Sequence, residues 1–211
     1  ATIYEAALTA LETIGMADAP QSGVESMVAA GAILGDDNRL RFPRALVEHT
    51  LSIANKNLTL HAQDPAFDLD LSGNRVHFGT AGAAVHLVNV DTKEYEDSTI
   101  GHLYNAARIV DQMDNIHFFQ RPMVARDILD NREMDLNTIY ASISGTKKHV
   151  GTSFVEPSHM DDGLELLHMV AGSEEAWRAR PFASLSVTFV VPPMKFATES
   201  CEVMEVAVRG G

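Results

Sequence analysis

The chain of 211 residues has a mass of 23.0 kDa and a formal net charge of −13, with 45% hydrophobic and 21% charged residues. This composition is typical of a folded globular protein and argues against an intrinsically disordered chain. No apolar run approaches the roughly 20 residues of a membrane helix, and no signal-peptide pattern opens the sequence. The acidic balance disfavours nucleic-acid binding, and a single cysteine excludes an intramolecular disulfide framework, so we expect a cytoplasmic protein without a membrane partner.

The opening of the chain predicts a small helical region over residues 1–57. Apolar residues recur at helical spacing in 2–14, where Gly15 follows, and again in 20–34. Pro43 then opens a third helical pattern, as proline does at a first helical position. We expect residues 58–211 to form a second region of a different class.

Alternating apolar and polar residues begin at Leu58 and predict strands over 58–62 and 67–71. Gly73-Asn74 is a hairpin signal that would join the second of these strands to residues 75–80. Residues 79–90 combine glycine with an apolar strand. A polar stretch then leads into a helix capped by Thr99, whose apolar stripe is formed by Ile100, Leu103, Ala107, Val110 and Met113.

From residue 116 onward, strands and helices alternate. The patterns predict strands at 116–124, 147–155 and 182–192, and helices at 134–144, 160–170 and 199–208. Strands separated by helical connections are typical of βαβ units with a parallel sheet. We therefore predict an α/β fold: the first half of a (β/α)₈ TIM-type barrel over 58–211, incomplete at its carboxyl end and preceded by the helical region.

Polar residues cluster just after the predicted strands, in the loops that build the active site of a β/α barrel. Gln120, Arg121, Glu156 and Thr188 are the candidate pocket residues, with ordinary solvated loop positions as the alternative for each. The glycine-rich run 79–83 matches no phosphate-binding motif. The nine histidines are scattered singly, so no metal site is predicted; a Ser-His-Asp arrangement stays open, although no GxSxG motif occurs.

One long block of sequence has a specific resemblance. FGTAGAAVHLVNVDTKEYEDST and AARIVDQMDNIHFFQRPMVARDI, within residues 78–128, resemble the trimethylamine methyltransferase family. TKKHVGTSF and GSEEAWRARPFASLSVTFVVPPMKF are similar to that family in order and spacing, and YEAALTALETIGM resembles its amino-terminal region. The resemblance covers nearly the whole chain and corresponds to the first half of the family's proteins.

The resemblance implies a fold and an activity. The family has a (β/α)₈ barrel with additional helices, and its members move a methyl group from a methylated or quaternary amine, such as trimethylamine or glycine betaine, to a Co(I) corrinoid. The corrinoid is carried on a separate small protein and is not bound covalently by the methyltransferase. This chemistry belongs to one-carbon metabolism related to methanogenesis. Pyrrolysine, which one branch uses, lies in the second half of the barrel, so the branch stays open, as do the catalytic residues and the oligomeric state, with a homo-oligomer as one option.

A quaternary ammonium group has no N–H donor, so aromatic faces and carboxylates would recognise it. Candidate contributors are Phe118, Phe119, Phe154, Phe189 and Glu156, and strand alternation allows only some of them to point inward. The predicted substrate-binding residues are thus Gln120, Arg121, Phe154, Glu156 and Thr188.

Two other functions stay open. The chain could be a non-catalytic domain that binds a small molecule or a partner protein. It could also belong to a barrel enzyme with different chemistry, such as a decarboxylase or an aldolase, for which Lys147, Lys148 and Lys195 near strand ends are the candidate Schiff-base lysines.

Overall fold

The computed structural model describes residues 2–211 and has mixed α/β architecture. Its helices are α1 (Thr2–Thr13), α2 (Gln21–Ala29), α3 (Arg44–Ile53), α4 (Ile100–Asp111), α5 (Asn131–Gly145), α6 (Pro157–Ala171), α7 (Glu174–Ala179) and α8 (Thr198–Gly210). Its strands are β1 (Ile33–Leu34), β2 (Leu40–Arg41), β3 (Thr59–Leu60), β4 (Leu69–Asp70), β5 (His86–Val88), β6 (Tyr95–Asp97), β7 (Phe118–Gln120), β8 (His149–Thr152), β9 (Ala183–Leu185), β10 (Val190–Val191) and β11 (Lys195–Phe196). None of the helices within residues 2–211 is both long and apolar enough to cross a membrane.

The chain folds as two compact units. The first contains the amino-terminal segment up to residue 56 together with residues 187–205, and the second contains residues 57–186 and 206–211. In the first unit, β1 pairs with β2 and β10 pairs with β11, both antiparallel. The guanidinium of Arg39 donates to the carbonyls of Gly15 and Met194 at 2.8 and 3.0 Å, which ties the amino-terminal segment to residues 187–205.

The second unit is built on a parallel sheet in the order β7-β8-β9. Phe119 aligns with Val150, and Val150 aligns with Ala183, so the three strands run in register. α5 connects β7 to β8, and α6 with α7 connects β8 to β9. A single parallel bridge between Gly79 and Phe118 extends the pairing on the free side of β7.

The core of this unit lies between the sheet and its helices. Leu103, Ala107 and Val110 of α4 pack with Phe119 of β7 and Ala141 of α5. The predicted Thr99 cap is present, because its hydroxyl accepts from the backbone N–H of His102. The cap fixes where α4 begins and therefore which of its residues face the core.

The amino-terminal edge of the sheet is closed by the hairpin β3–β4, whose strands pair antiparallel. Gln63 donates through Nε2 to the carbonyls of Ile143 and Thr146 at 2.7 and 2.8 Å. Beside it, the ammonium of Lys148 donates to the carbonyls of Val110, Met113 and Ile116 at 2.7, 2.6 and 2.6 Å. Lys148 is 3% exposed, so these bonds hold the end of α4 and the segment that leads into β7 to the residue that precedes β8.

Several predicted elements differ in the structure. The helix predicted over 20–34 ends at Ala29, because Gly31 adopts a φ of 112° and the chain turns into β1. Gly73-Asn74 does form a turn, but residues 75–80 form no strand with β4. β4 pairs instead with β3, across a loop closed by Asp68, whose carboxylate accepts from the backbone N–H of Ala62 at 2.9 Å.

Two predicted strands are also divided or redirected. Within 79–90, residues 86–88 form β5, which pairs antiparallel with β6 in the stretch that the sequence predicted to be a polar connection. The strand predicted over 182–192 is interrupted after β9, and β10 belongs to the other compact unit. Within residues 2–211 the strands form small sheets of two or three strands, and a closed barrel is not among them.

Two of the three lysines considered for Schiff-base chemistry have partners in the structure. The ammonium of Lys148 is fully engaged by three carbonyls, and that of Lys195 pairs with Asp18 at 2.8 Å. Neither offers a free amine as the structure stands.

We expect Lys148→Met to lower the free energy of unfolding by about 2 kcal/mol, because three buried carbonyls lose their donor. Urea unfolding of the intact protein followed by circular dichroism measures this. The adjacent and exposed Lys147 provides the control, and Lys147→Met should change stability by no more than about 0.5 kcal/mol. Equal stability of the two variants would contradict the bracing role of Lys148.

Candidate functional site

The parallel sheet has two chemically different faces, because successive side chains of a strand point to opposite sides. Phe119 and Val150 share the face that packs against the helices, and both are fully buried. The opposite face carries Gln120 of β7, His149 of β8 and Ser184 of β9. Polar groups therefore line the side of the sheet that faces away from its helices, and this polar face is the candidate site.

Gln120 lies at the carboxyl end of β7 and extends across Gly151. A Cβ atom built on Gly151 would lie 1.9 Å from Oε1 of Gln120, so a side chain at this position would displace the amide of Gln120. The amide nitrogen of Gln120 donates to Oγ of Ser186 at 3.4 Å, and its backbone carbonyl accepts from Oγ1 of Thr80 at 2.5 Å. These contacts orient the amide oxygen along the polar face.

His149 lies deeper on the same face, at the start of β8. Its Nδ1 is 2.6 Å from the carbonyl oxygen of His61, and its Nε2 is 2.9 Å from Oγ of Ser184. The imidazole is 2% exposed, and burial lowers the pKa of His149 below its ordinary value of 6.5. The hydrogen bond to the carbonyl of His61 and the negative charge of Asp68 oppose this shift of the pKa, whereas the electrostatic effect of the His61 ring adds to it.

Arg121 lies one residue further along β7, and its backbone N–H donates to the carbonyl of Gly151 at 2.9 Å. Its guanidinium is half-buried and, within residues 2–211, has no hydrogen bond or ion pair. Burial lowers the pKa of Arg121, and the charge of Asp135 works against that shift. The sequence placed Arg121 and Gln120 together in one pocket, but strand alternation directs their side chains to different faces.

Asp135 of α5 organises the loop that follows β8. The side chain is 2% exposed, and its Oδ2 accepts from the backbone N–H of Val155 and from Nδ1 of His159, both at 2.8 Å. Because a carboxylate oxygen accepts and does not donate, Nδ1 of His159 carries the proton. The loop between β8 and α6 is thus held to α5 by a buried carboxylate.

Glu156 and Phe154 occupy that loop. Glu156 is the residue before α6; its side chain is 57% exposed, and Oε2 lies 3.7 Å from Nε2 of His159. Phe154 is 8% exposed, and its ring packs on Gly163, where an added Cβ would lie 2.5 Å from Cζ. Packing therefore accounts for Phe154, whereas Glu156 keeps an exposed carboxylate beside the carboxyl end of β8.

The remaining candidates do not form one aromatic surface. Phe118 and Phe119 are on opposite faces of β7, and Phe119 is part of the core. Thr188 is exposed in irregular structure, and both Thr188 and Phe189 belong to the first compact unit. The substrate-binding roles of Gln120, Arg121, Phe154, Glu156 and Thr188 stay predictions.

Sequence reasoning missed His149, Ser184 and Ser186. Each lies within a strand or directly after it, whereas the predicted site residues were assigned to loops. The two-residue period of a strand could have identified them, since Ser184 and Ser186 are two residues apart and fall on one face of the sheet. Within residues 2–211, no group of three or more His, Cys, Asp or Glu side chains is arranged to hold a metal ion.

Comparison with known proteins decides the family. The family model described as trimethylamine methyltransferase (MTTB) matches residues 1–211. The chain belongs to the trimethylamine methyltransferase family. The match includes the residues of the polar face.

Curated members of the trimethylamine methyltransferase family align with most of this chain. Trimethylamine methyltransferase MttB of Desulfitobacterium hafniense (strain DSM 10664 / DCB-2) is 27% identical over 210 residues, which are 99% of this chain and 42% of that protein. Trimethylamine methyltransferase MttB1 of Methanosarcina mazei is 24% identical over 182 residues, covering 82% of this chain and 36% of the relative. A glycine betaine methyltransferase of D. hafniense (strain Y51) is 22% identical over 194 residues, covering 92% and 40%. The chain therefore spans about two fifths of the length of these relatives.

The shifted pKa of His149 predicts a pH dependence of stability. Unfolded chains bind a proton at His149 near pH 6.5, whereas the folded protein binds it only at lower pH. Acid therefore favours the unfolded state, and the contribution of neutral His149 is complete above pH 6.5 and is lost as the pH falls through the folded pKa.

Urea unfolding at a series of pH values measures this contribution. We expect the free energy of unfolding of the wild type to fall below pH 6.5 more steeply than that of His149→Gln, which cannot be protonated. The exposed residue His49 serves for the control His49→Gln, which should keep the wild-type slope. Parallel slopes for wild type and His149→Gln would contradict the lowered pKa.

Proposed function

We propose that this chain supplies the substrate-binding part of a corrinoid-dependent amine methyltransferase with a (β/α)₈ barrel. The reaction would move a methyl group from a methylated amine of the trimethylamine or glycine betaine type to a Co(I) corrinoid on a separate protein. The observation that carries the proposal is the family match over residues 1–211, which includes curated methyltransferases for both kinds of amine. The parallel run β7-α5-β8-α6-α7-β9 supports the barrel, since it repeats the unit of that fold.

The polar face fits the task of holding such a substrate. Methyl transfer is an in-line displacement, so the protein has to orient the methylated nitrogen and remove water from it. The oxygens of Gln120, Ser184 and Ser186 are grouped on one face near the carboxyl ends of parallel strands, where barrel enzymes bind their substrates. They are neutral acceptors suited to a cation.

The corrinoid supplies the nucleophile in this reaction and arrives on another protein. Because the cobalt is not held by this chain, the substrate side has to remain open to approach. We assign the residues of this chain only to binding and orientation of the amine.

The proposal is tested with the intact natural polypeptide that includes this chain. Purified protein is mixed with cob(I)alamin or the reduced corrinoid protein and with trimethylamine, dimethylamine or glycine betaine in turn. Methylation of cobalt is followed by the change in its absorption spectrum. Formation of methylcobalamin with one amine supports the proposal. Binding of an amine without transfer would favour the non-catalytic alternative, and neither binding nor transfer with any methylated amine would overturn the activity.

Glu156 offers a residue-level prediction, because its exposed carboxylate lies at the end of β8. We expect Glu156→Gln to weaken binding of a cationic amine by about threefold, as removal of one exposed charge reduces attraction modestly. Isothermal titration calorimetry measures the dissociation constant, with the neutral carbon analogue of the amine as reference ligand.

The matched control is Glu165→Gln, which changes an exposed carboxylate on α6, the helix that Glu156 directly precedes. Its effect on the dissociation constant should be negligible. A similar loss of the cationic and neutral ligands in Glu156→Gln would exclude an electrostatic role for Glu156.

A further inference from the structure

Three hydrogen-bonding groups form a chain at the centre of the polar face. The carbonyl oxygen of His61 lies 2.6 Å from Nδ1 of His149, and Nε2 of His149 lies 2.9 Å from Oγ of Ser184. His149 is almost completely buried, whereas Ser184 is exposed. These hydrogen bonds therefore connect the hairpin at the amino-terminal edge of the sheet with the exposed hydroxyl of Ser184.

Elementary chemistry determines which atom carries the proton in each of these two hydrogen bonds. A carbonyl oxygen only accepts, so Nδ1 of His149 carries the proton of the first bond. Burial without a carboxylate partner disfavours the charged imidazolium, so the ring is neutral and its Nε2 has a free lone pair. Nε2 must then accept, and the hydroxyl of Ser184 must donate to it.

This arrangement fixes what Ser184 presents to a ligand. A free serine hydroxyl rotates and can donate or accept, but here its one proton is committed to His149. The oxygen therefore offers only lone pairs to the polar face. Gly151 aligns with Ser184 in the sheet and has no side chain, and the amide of Gln120 lies over Gly151. The amide oxygen of Gln120 and the hydroxyl oxygen of Ser184 are thus neighbouring acceptors on the polar face.

Acceptor oxygens of this kind suit one chemical class of ligand. A fully methylated ammonium carries its charge on polarised C–H groups and has no acceptor of its own, so it gains from lone pairs and loses from outward-pointing protons. The ionisable groups that act on His149 are His61 and Asp68. The carboxylate of Asp68 is paired with the ring of His61 and with Arg180, which donates to both of its oxygens at 2.9 and 3.0 Å.

We propose that Ser184 contacts the methylated ammonium group through the lone pairs of its hydroxyl, and that His149 is a positioning residue that holds the hydroxyl proton away from the ligand. This inference rests on the proposed function, because it concerns the same substrate site. It adds a specificity rule: the site selects cations that need only acceptors, and discriminates against neutral ligands of the same shape.

The test uses the intact natural polypeptide and two ligands of nearly identical shape. Glycine betaine has a trimethylammonium group, and 3,3-dimethylbutanoate replaces that group by neutral tert-butyl. Isothermal titration calorimetry gives both dissociation constants for the wild type, Ser184→Ala, His149→Leu and His149→Gln. Trimethylammonium is titrated as a second cation. Ser144→Ala, an exposed serine on α5, is the matched control.

We expect Ser184→Ala to weaken binding of the cations by about fivefold, about 1 kcal/mol, and to leave 3,3-dimethylbutanoate within twofold of wild type. His149→Leu should show the same selective loss. His149→Gln should restore cation binding, because its amide can donate to the carbonyl of His61 and accept from Ser184. Ser144→Ala should match the wild type.

The inference is overturned if Ser184→Ala leaves cation binding unchanged, or if it weakens both ligands equally. Either result in a protein that still methylates cobalt would leave the proposed function standing. A wild-type protein that neither binds a methylated amine nor transfers its methyl group would overturn both. If His149→Leu fails to fold, the comparison of Ser184→Ala with the wild type decides the matter, since Ser184 is exposed and its truncation removes no core packing.

Discussion

Helices connect the parallel strands β7, β8 and β9, and in βαβ units of one hand the crossovers pass over the same side of the sheet. That side must be apolar, as Phe119 and Val150 are, because it is covered. The other side is released from this requirement and can carry Gln120, His149 and Ser184. The separation of core and candidate site thus follows from strand connectivity together with the two-residue period of a strand.

The amino-terminal edge of the sheet supports the polar face from below. The hairpin β3–β4 brings the carbonyl of His61 to His149, and Asp68 closes the hairpin loop through the N–H of Ala62. Asp68 is also paired with His61 and Arg180. Burial opposes ionisation of Asp68, but the N–H of Ala62, His61 and Arg180 together lower the pKa of its carboxyl group. The hairpin β3–β4 contributes no residue to the polar face, but it sets the orientation of His149, which belongs to that face.

The sequence was most informative where local chemistry dominates. Thr99 as a cap and the alternation of strands and helices after residue 116 follow from nearby residues alone. The pairing of β5 with β6 and the break after β9 depend on which distant segment competes for a strand, and local patterns do not encode that choice. The same distinction between local and long-range information applies to the residues of the candidate site. Gln120 was predicted from its position after a strand, whereas the pairing of His149 with Ser184 depends on the register of two strands that are 35 residues apart.

The hydrogen bonds between the end of α4 and residues 146–148 determine how the second compact unit can open locally. Lys148 binds carbonyls at that end, while Asp111 of α4 accepts in return from Oγ1 of Thr146 and the N–H of Lys147, at 2.9 and 2.8 Å. The two segments are linked in both directions across about 35 residues of chain, which include β7 and all of α5. Fraying of α4 from this end would therefore have to break bonds to β8 at the same time, so α4, β7, α5 and β8 form one cooperative unit. The amide protons of these four elements therefore become accessible to exchange through one shared opening.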